Sequence, residues 1–142
     1  DVVKVSADKA TMFDWKQALD FEKLSAPFIQ YSHARACSIL RKESADRQFN
    51  AELLLDENEV ALIKKISQFD LVIDSAAREL KPHHLATYAR ELAECFNLFY
   101  RYSPVLDAPQ DLKNARLALV GAARNALRAT LETLGIAALE TM

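Results

Sequence analysis

The chain has 142 residues, 51% of them hydrophobic and 27% charged, enough for one domain to close its own core without disulfide or metal staples. Only 2 glycines are present and the formal net charge is −2. The first argues against a glycine-rich phosphate loop or a turn-rich all-β fold, and the second against a bulk basic footprint, though not against a local basic stripe.

In chain order, residues 1–20 are expected to end a preceding region or form a linker, and residues 21–142 to form the domain. Val2, Val3 and Val5 fit either a short strand or the tail of a preceding domain. Asp14 is a candidate N-cap for a short helix through Asp20, and FEKLSAP (21–27) reads as a compact loop. Ser25 as cap and Pro27 at an early position start a helix that runs to about Lys42. The stretch ESADRQFNAELLLDENE is a polar, then acidic, connector, expected to be ordered only in part. Two shorter helices follow near 57–68 and 70–80, and Pro82 opens a long one to about Tyr102. SPVLDAP, bracketed by Pro104 and Pro109, is the last connector.

The terminal helix is the most strongly patterned. Leu112, Leu119, Ala123, Leu127, Thr130 and Leu134 fall near one stripe of a 3.6-residue period. Gly135 sits at the helix stop, and Ile136 is a candidate latch back onto the last turn. The tail to Met142 is expected to be free to fold over the bundle, so that its removal changes stability little. The sum is an all-α bundle of about five or six helices. No run is long and apolar enough to span a membrane, and there is no signal peptide. Starting at Asp1 without an initiator methionine, the chain is expected to be a piece of a longer protein.

The helix over 26–42 has two faces. On a wheel of about 100° per residue, Ile29, His33, Ala36, Cys37 and Leu40 gather on a core side. Phe28, Tyr31, Arg35 and Lys42 gather roughly opposite Cys37. Rings interleaved with cations suit RNA, since rings stack bases and cations meet the backbone. The bland alternative packs both rings on a neighbouring helix and leaves Arg35 in an ordinary salt bridge.

PFIQYSHARACSILRK (27–42) resembles the P-Y-x-Q-Y-x-H-x-R-x-x-S-I-x-R-K block that opens the anticodon-binding (DALR) domain of arginyl-tRNA synthetases. The match covers Pro27, Gln30, Tyr31, His33, Arg35, Ser38, Ile39, Arg41 and Lys42. FDWKQALDFE (13–22) resembles the segment leading into that block. The R-L-x-L helix, L-G-I turn and final methionine resemble the family's carboxyl end. The resemblance implies a helical bundle that holds the anticodon loop of arginine tRNA. It places the reading loop at Phe21 to Ala26, with Glu22, Lys23, Leu24 and Ser25 inside it. It places the stacking aromatics at Phe28, Tyr31, Phe96 and Tyr100, and the tail residue at Met142. Phe28 and Phe96 stand where tyrosine is common, so they keep the ring without the hydroxyl. The loop also lacks the family's glycines.

The same resemblance implies a parent arginine–tRNA ligase, cytoplasmic and monomeric, that uses ATP with magnesium. Its catalytic domain would be a partner within the same chain. This sequence has no H-I-G-H-like or K-M-S-K-like signature, so no catalytic residue and no cofactor is assigned to it. The rival readings are a helical protein–protein interaction module and the anticodon-binding domain of a related synthetase.

Other residues read more plainly. From spacing alone Phe96 falls on the apolar face of its helix, while Tyr100 lies at the edge of that face. His83 and His84 point about 100° apart, cannot form an i, i+4 metal pair, and are expected to be exposed. His33 reads as a satisfied core histidine, and Cys37 and Cys95 as small buried hydrophobes. Arg116 either snorkels or meets a buried carboxylate. Arg124 and Arg128 share an outer side that is solvated by default and within reach of phosphate. Glu52, Asp56, Glu57 and Glu59 read as an acidic patch that phosphates should avoid.

Overall fold

A computed structural model describes residues 25–43 and 48–142. The expectations for residues 1–20, for the loop positions Glu22, Lys23 and Leu24, and for the short helix after Asp14 lie outside the described residues. Among the described residues five α-helices follow one another: α1 (Ala26–Lys42), α2 (Glu57–Ser67), α3 (Phe69–Glu79), α4 (His83–Tyr102) and α5 (Gln110–Thr133). A 3-10 turn at Ala51–Leu53 precedes α2, and the described residues contain no strand. None of these helices is long and apolar enough to cross a membrane.

Local chemistry accounts for the boundaries. Ser25 holds an extended N-cap backbone, and Pro27 sits in the first turn of α1, where its missing N–H leaves no bond unmade. Arg41 and Lys42 close the last turn, against the negative end of the helix dipole. Asp56 and Glu59 form a reciprocal capping box at the start of α2: Asp56 accepts from Asn58 N–H, and Glu59 accepts from Asp56 N–H, each at 2.9 Å. Gln68 alone separates α2 from α3. At the end of α5, Gly135 takes φ +71. Gly135 N–H donates to Glu132 O at 3.0 Å and Ile136 N–H to Leu131 O at 2.9 Å, the Schellman pattern that favours glycine at this position. Leu80 takes the same left-handed conformation (φ 55) after α3, with its side chain out in solvent.

The central helix is α4, which packs against every other α-helix. Leu85, Leu92, Ala93, Phe96 and Phe99 are buried along it, and Leu117, Val120, Ala123, Leu127 and Leu131 of α5 join them. Ile29, Ala36 and Ile39 bring in α1, whereas Leu40 is only half-buried.

Several expectations need correction here. Glu59 is not part of an acidic surface patch: it is 1% exposed. Arg116 donates to it at 2.6 Å and to Pro104 O, also at 2.6 Å, which settles Arg116 as the partner of a buried carboxylate. His83 and His84 are half-buried and meet edge-on with ring centroids 4.4 Å apart, rather than standing exposed.

The tail is also not free. Gln30 Nε2 donates to Ala137 O at 2.8 Å, and Arg41 donates to Glu140 O at 3.1 Å. His33, 2% exposed, places Nδ1 2.8 Å from Leu139 O. A carbonyl can only accept, so this contact needs a proton on Nδ1. Cys37 Sγ lies 3.7 Å from Nε2, and burial pushes the Cys37 thiol above its usual range. Ile136 and Ala138 lean on the core from the same side.

Candidate nucleic-acid interface

The opposite face of α1 carries the aromatic and cationic residues. Tyr31 is 46% exposed and Tyr100 is 42% exposed, although they come from helices far apart in sequence. Arg35 joins them. Its guanidinium carbon lies 4.6 Å from the Tyr31 ring centroid and 4.8 Å from that of Tyr100, both cation–π distances. One nitrogen of Arg35 donates to the Tyr31 hydroxyl and the other to Asn97 Oδ1, each at 2.9 Å.

Asn97 is itself held. Its Nδ2 donates to Ser32 Oγ at 2.8 Å and to Ala93 O at 2.9 Å, and Ser32 donates to Phe28 O at 2.9 Å. Both ends of the Asn97 amide are therefore used, which fixes its orientation and with it the plane of Arg35. Two rings and a planar cation thus meet solvent from a braced position. Rings of this kind stack bases with little regard for sequence, and guanidinium groups stack or meet phosphate.

The expected site residues divide as follows. Tyr31, Arg35 and Tyr100 come together. Phe28 is half-buried and keeps part of its ring against the core. Ser25 stands at the N-cap of α1, in the described end of the expected loop. Phe96 does not present a stacking surface: it is 0% exposed and packs against Phe99, with centroids 6.4 Å apart. Its helix is covered on several sides, so a ring one turn before Tyr100 falls inside. Met142 is 64% exposed, but the tail is anchored along Gln30, His33 and Arg41, each roughly 120–160° from Arg35 on the α1 wheel. No hydrogen bond or ring contact among the described residues links the tail to the tyrosine pair. Asn97 and Ser32 were missed in the sequence. Asn97 lies between Ala93 and Tyr100 on one side and Glu94 and Arg101 on the other, so no apolar pattern marks it as half of a brace.

Residues 29–142 match the family model described as the DALR anticodon binding domain. The arginine–tRNA ligase of Methanothrix thermoacetophila is 73% identical over the whole of this chain, which covers 26% of that protein. The arginine–tRNA ligase of Methanosarcina barkeri is 56% identical, again over the whole chain and 26% of the relative. The chain thus spans about a quarter of the length of these relatives. Among solved structures, Thermus thermophilus arginyl-tRNA synthetase superposes with a TM-score of 0.84 at 37% identity, over 92% of this chain and 23% of that one. The helical bundle, the aromatic face of α1 and these matches lead to one assignment: the chain belongs to the DALR anticodon binding domain family.

Proposed function

We propose that this chain recognises arginine tRNA through its anticodon, as the anticodon-binding portion of an arginine–tRNA ligase. The observation that carries the reading is the braced cluster itself. Tyr31 and Tyr100 stand exposed around an Arg35 that Asn97 holds in place. A packing-only role for these rings predicts burial against a neighbouring helix, whereas each keeps more than a third of its surface in solvent.

The longer protein would activate arginine with ATP and magnesium and transfer it to the tRNA acceptor end. Its catalytic domain would be joined to this bundle within one cytoplasmic, monomeric chain. No residue here is assigned to that chemistry. All arginine anticodons carry C at the centre, so a domain reading a single-stranded loop should direct hydrogen bonds at that base and stack the others tolerantly.

The test is a titration of the chain with arginine tRNA and with a variant changed at the middle anticodon base. The expected result is clear loss of affinity for the variant. Equal affinity for the two RNAs rejects anticodon reading and leaves the exposed face to a protein partner.

A further inference from the structure

Past Tyr100 the surface drops into a cleft of about 400 Å³ between the C-terminal turns of α1 and α4 and the connector that follows α4. Arg35 and Lys42 line it from α1, Arg101 from α4, and Asp107 from the connector. Three cations therefore face one carboxylate. Basic side chains at helix ends commonly do no more than offset the dipole, and Lys42 and Arg101 do end α1 and α4. Partly buried cations elsewhere in the bundle behave differently, however. Lys113 pairs with Glu43 at 2.9 Å, Lys65 with Glu91 at 3.0 Å, and Arg116 with Glu59. Neither Lys42 nor Arg101 forms an ion pair among the described residues, although Asp107 lines the same cleft.

The cleft is continuous with the aromatic cluster, because Arg35 and Tyr100 belong to both. A base stacked on Tyr100 carries its sugar and phosphate away from the ring, and the unmatched positive charge lies next to that ring. A chain with a net charge of −2 attracts RNA only through such local concentrations of positive charge.

We propose that this cleft binds the backbone phosphate of the nucleotide stacked on Tyr100, with Lys42 and Arg101 as its cationic walls. The inference rests on the anticodon-recognition reading and extends it. It adds a site for the RNA backbone that carries no base information, beside one that contacts bases. Asp107 opposes a further phosphate, so the cleft holds one.

The experiment compares the parent chain with Lys42→Gln, Arg101→Gln and the double variant. Each is titrated with arginine tRNA over a series of salt concentrations, beside the middle-base variant tRNA. The double variant should make the log–log salt slope shallower by about 0.7, the loss of one single-stranded phosphate contact, and each single variant by part of that. The ratio of affinities for the two tRNAs should not change. Lys42→Arg and Arg101→Lys should keep the parent slope, which a purely structural role for either side chain does not require. Arg78→Gln, which removes an exposed cation paired with Asp74 on α3, serves as control and should leave the slope alone. An unchanged slope in the folded double variant overturns the proposal, even when the parent discriminates between the tRNAs. A parent that fails to discriminate, yet loses slope in the double variant, keeps the phosphate cleft and overturns anticodon reading.

Discussion

Deleting Leu139 to Met142 tests how firmly the tail belongs to the fold. The deletion removes the acceptor of His33 at 2.8 Å and that of Arg41 at 3.1 Å, while the Gln30 bond to Ala137 survives. The Arg41 bond is exposed and contributes little. His33 is 2% exposed, and losing a buried acceptor costs about 1–3 kcal/mol. The departing tail also uncovers the imidazole and lets water reach Nδ1, so the lower part of that range applies, about 1–2 kcal/mol. For a chain of this length each kcal/mol moves the melting temperature by about 3–5 °C, so a fall of about 3–10 °C is expected. The assay is a thermal melt of the intact and truncated chains at the same pH and salt. In a His33→Ala background the same truncation should cost measurably less, because the bond it breaks is already gone. Identical melting temperatures for intact and truncated chains refute the docked tail and return it to a frayed end.

Four further substitutions separate core, surface and helix cap. Phe96→Ala should lower stability by about 3–5 kcal/mol, whereas Tyr100→Ala should keep the melt and weaken tRNA binding by about 1–3 kcal/mol; the reverse pattern in denaturation and titration would exchange their roles. Arg116→Met strands the buried Glu59 carboxylate and should cost about 3–5 kcal/mol in chemical denaturation. Asp56→Asn reports on pH: donation from Asn58 N–H holds the Asp56 carboxyl below its ordinary 3.8. A depressed folded pKa stabilises fully above the unfolded value and is lost as pH falls through the folded one. The melting-temperature gap between parent and Asp56→Asn should therefore be open at neutral pH and close in acid; a gap that is constant with pH would exclude a charge effect.

The helix boundaries were legible where proline or glycine marks them. Pro27, Pro82 and Gly135 each announced an end that the fold keeps, whereas the Asp56 and Glu59 box passed for surface acids. The docked tail was not legible. Its anchors are backbone carbonyls of Ala137, Leu139 and Glu140, a group that every residue carries, so no composition marks them as partners of Gln30, His33 and Arg41. The acidic run misled for a related reason. Glu59 reads as one more surface acid until Arg116, 57 residues later, arrives beside it. In the candidate site, Tyr31 and Arg35 were visible as an i, i+4 pair on one helix. Tyr100 was visible only as an edge residue, and the brace between the two helices was not visible at all.

That brace gives Phe96 a role different from the one its position in CFNLFY implies. Asn97, which orients Arg35, follows Phe96 directly, and Tyr100 lies one turn beyond it on the same helix. Phe96 is sealed among the core residues of α4, the helix that all the others pack against. Its ring touches no solvent, yet it sets the depth and rotation of the turn that carries Asn97 and Tyr100. A smaller side chain there lets that turn settle inward, and Arg35 then loses either its amide or one of its rings. The exposed cluster is therefore only as rigid as the core beneath it. A conservative change at Phe96, such as Phe96→Leu, should accordingly weaken tRNA binding per folded molecule while the chain still melts cooperatively. Binding unchanged in that variant, measured well below its melting temperature, would show that the tyrosines and Arg35 hold their arrangement without support from the core.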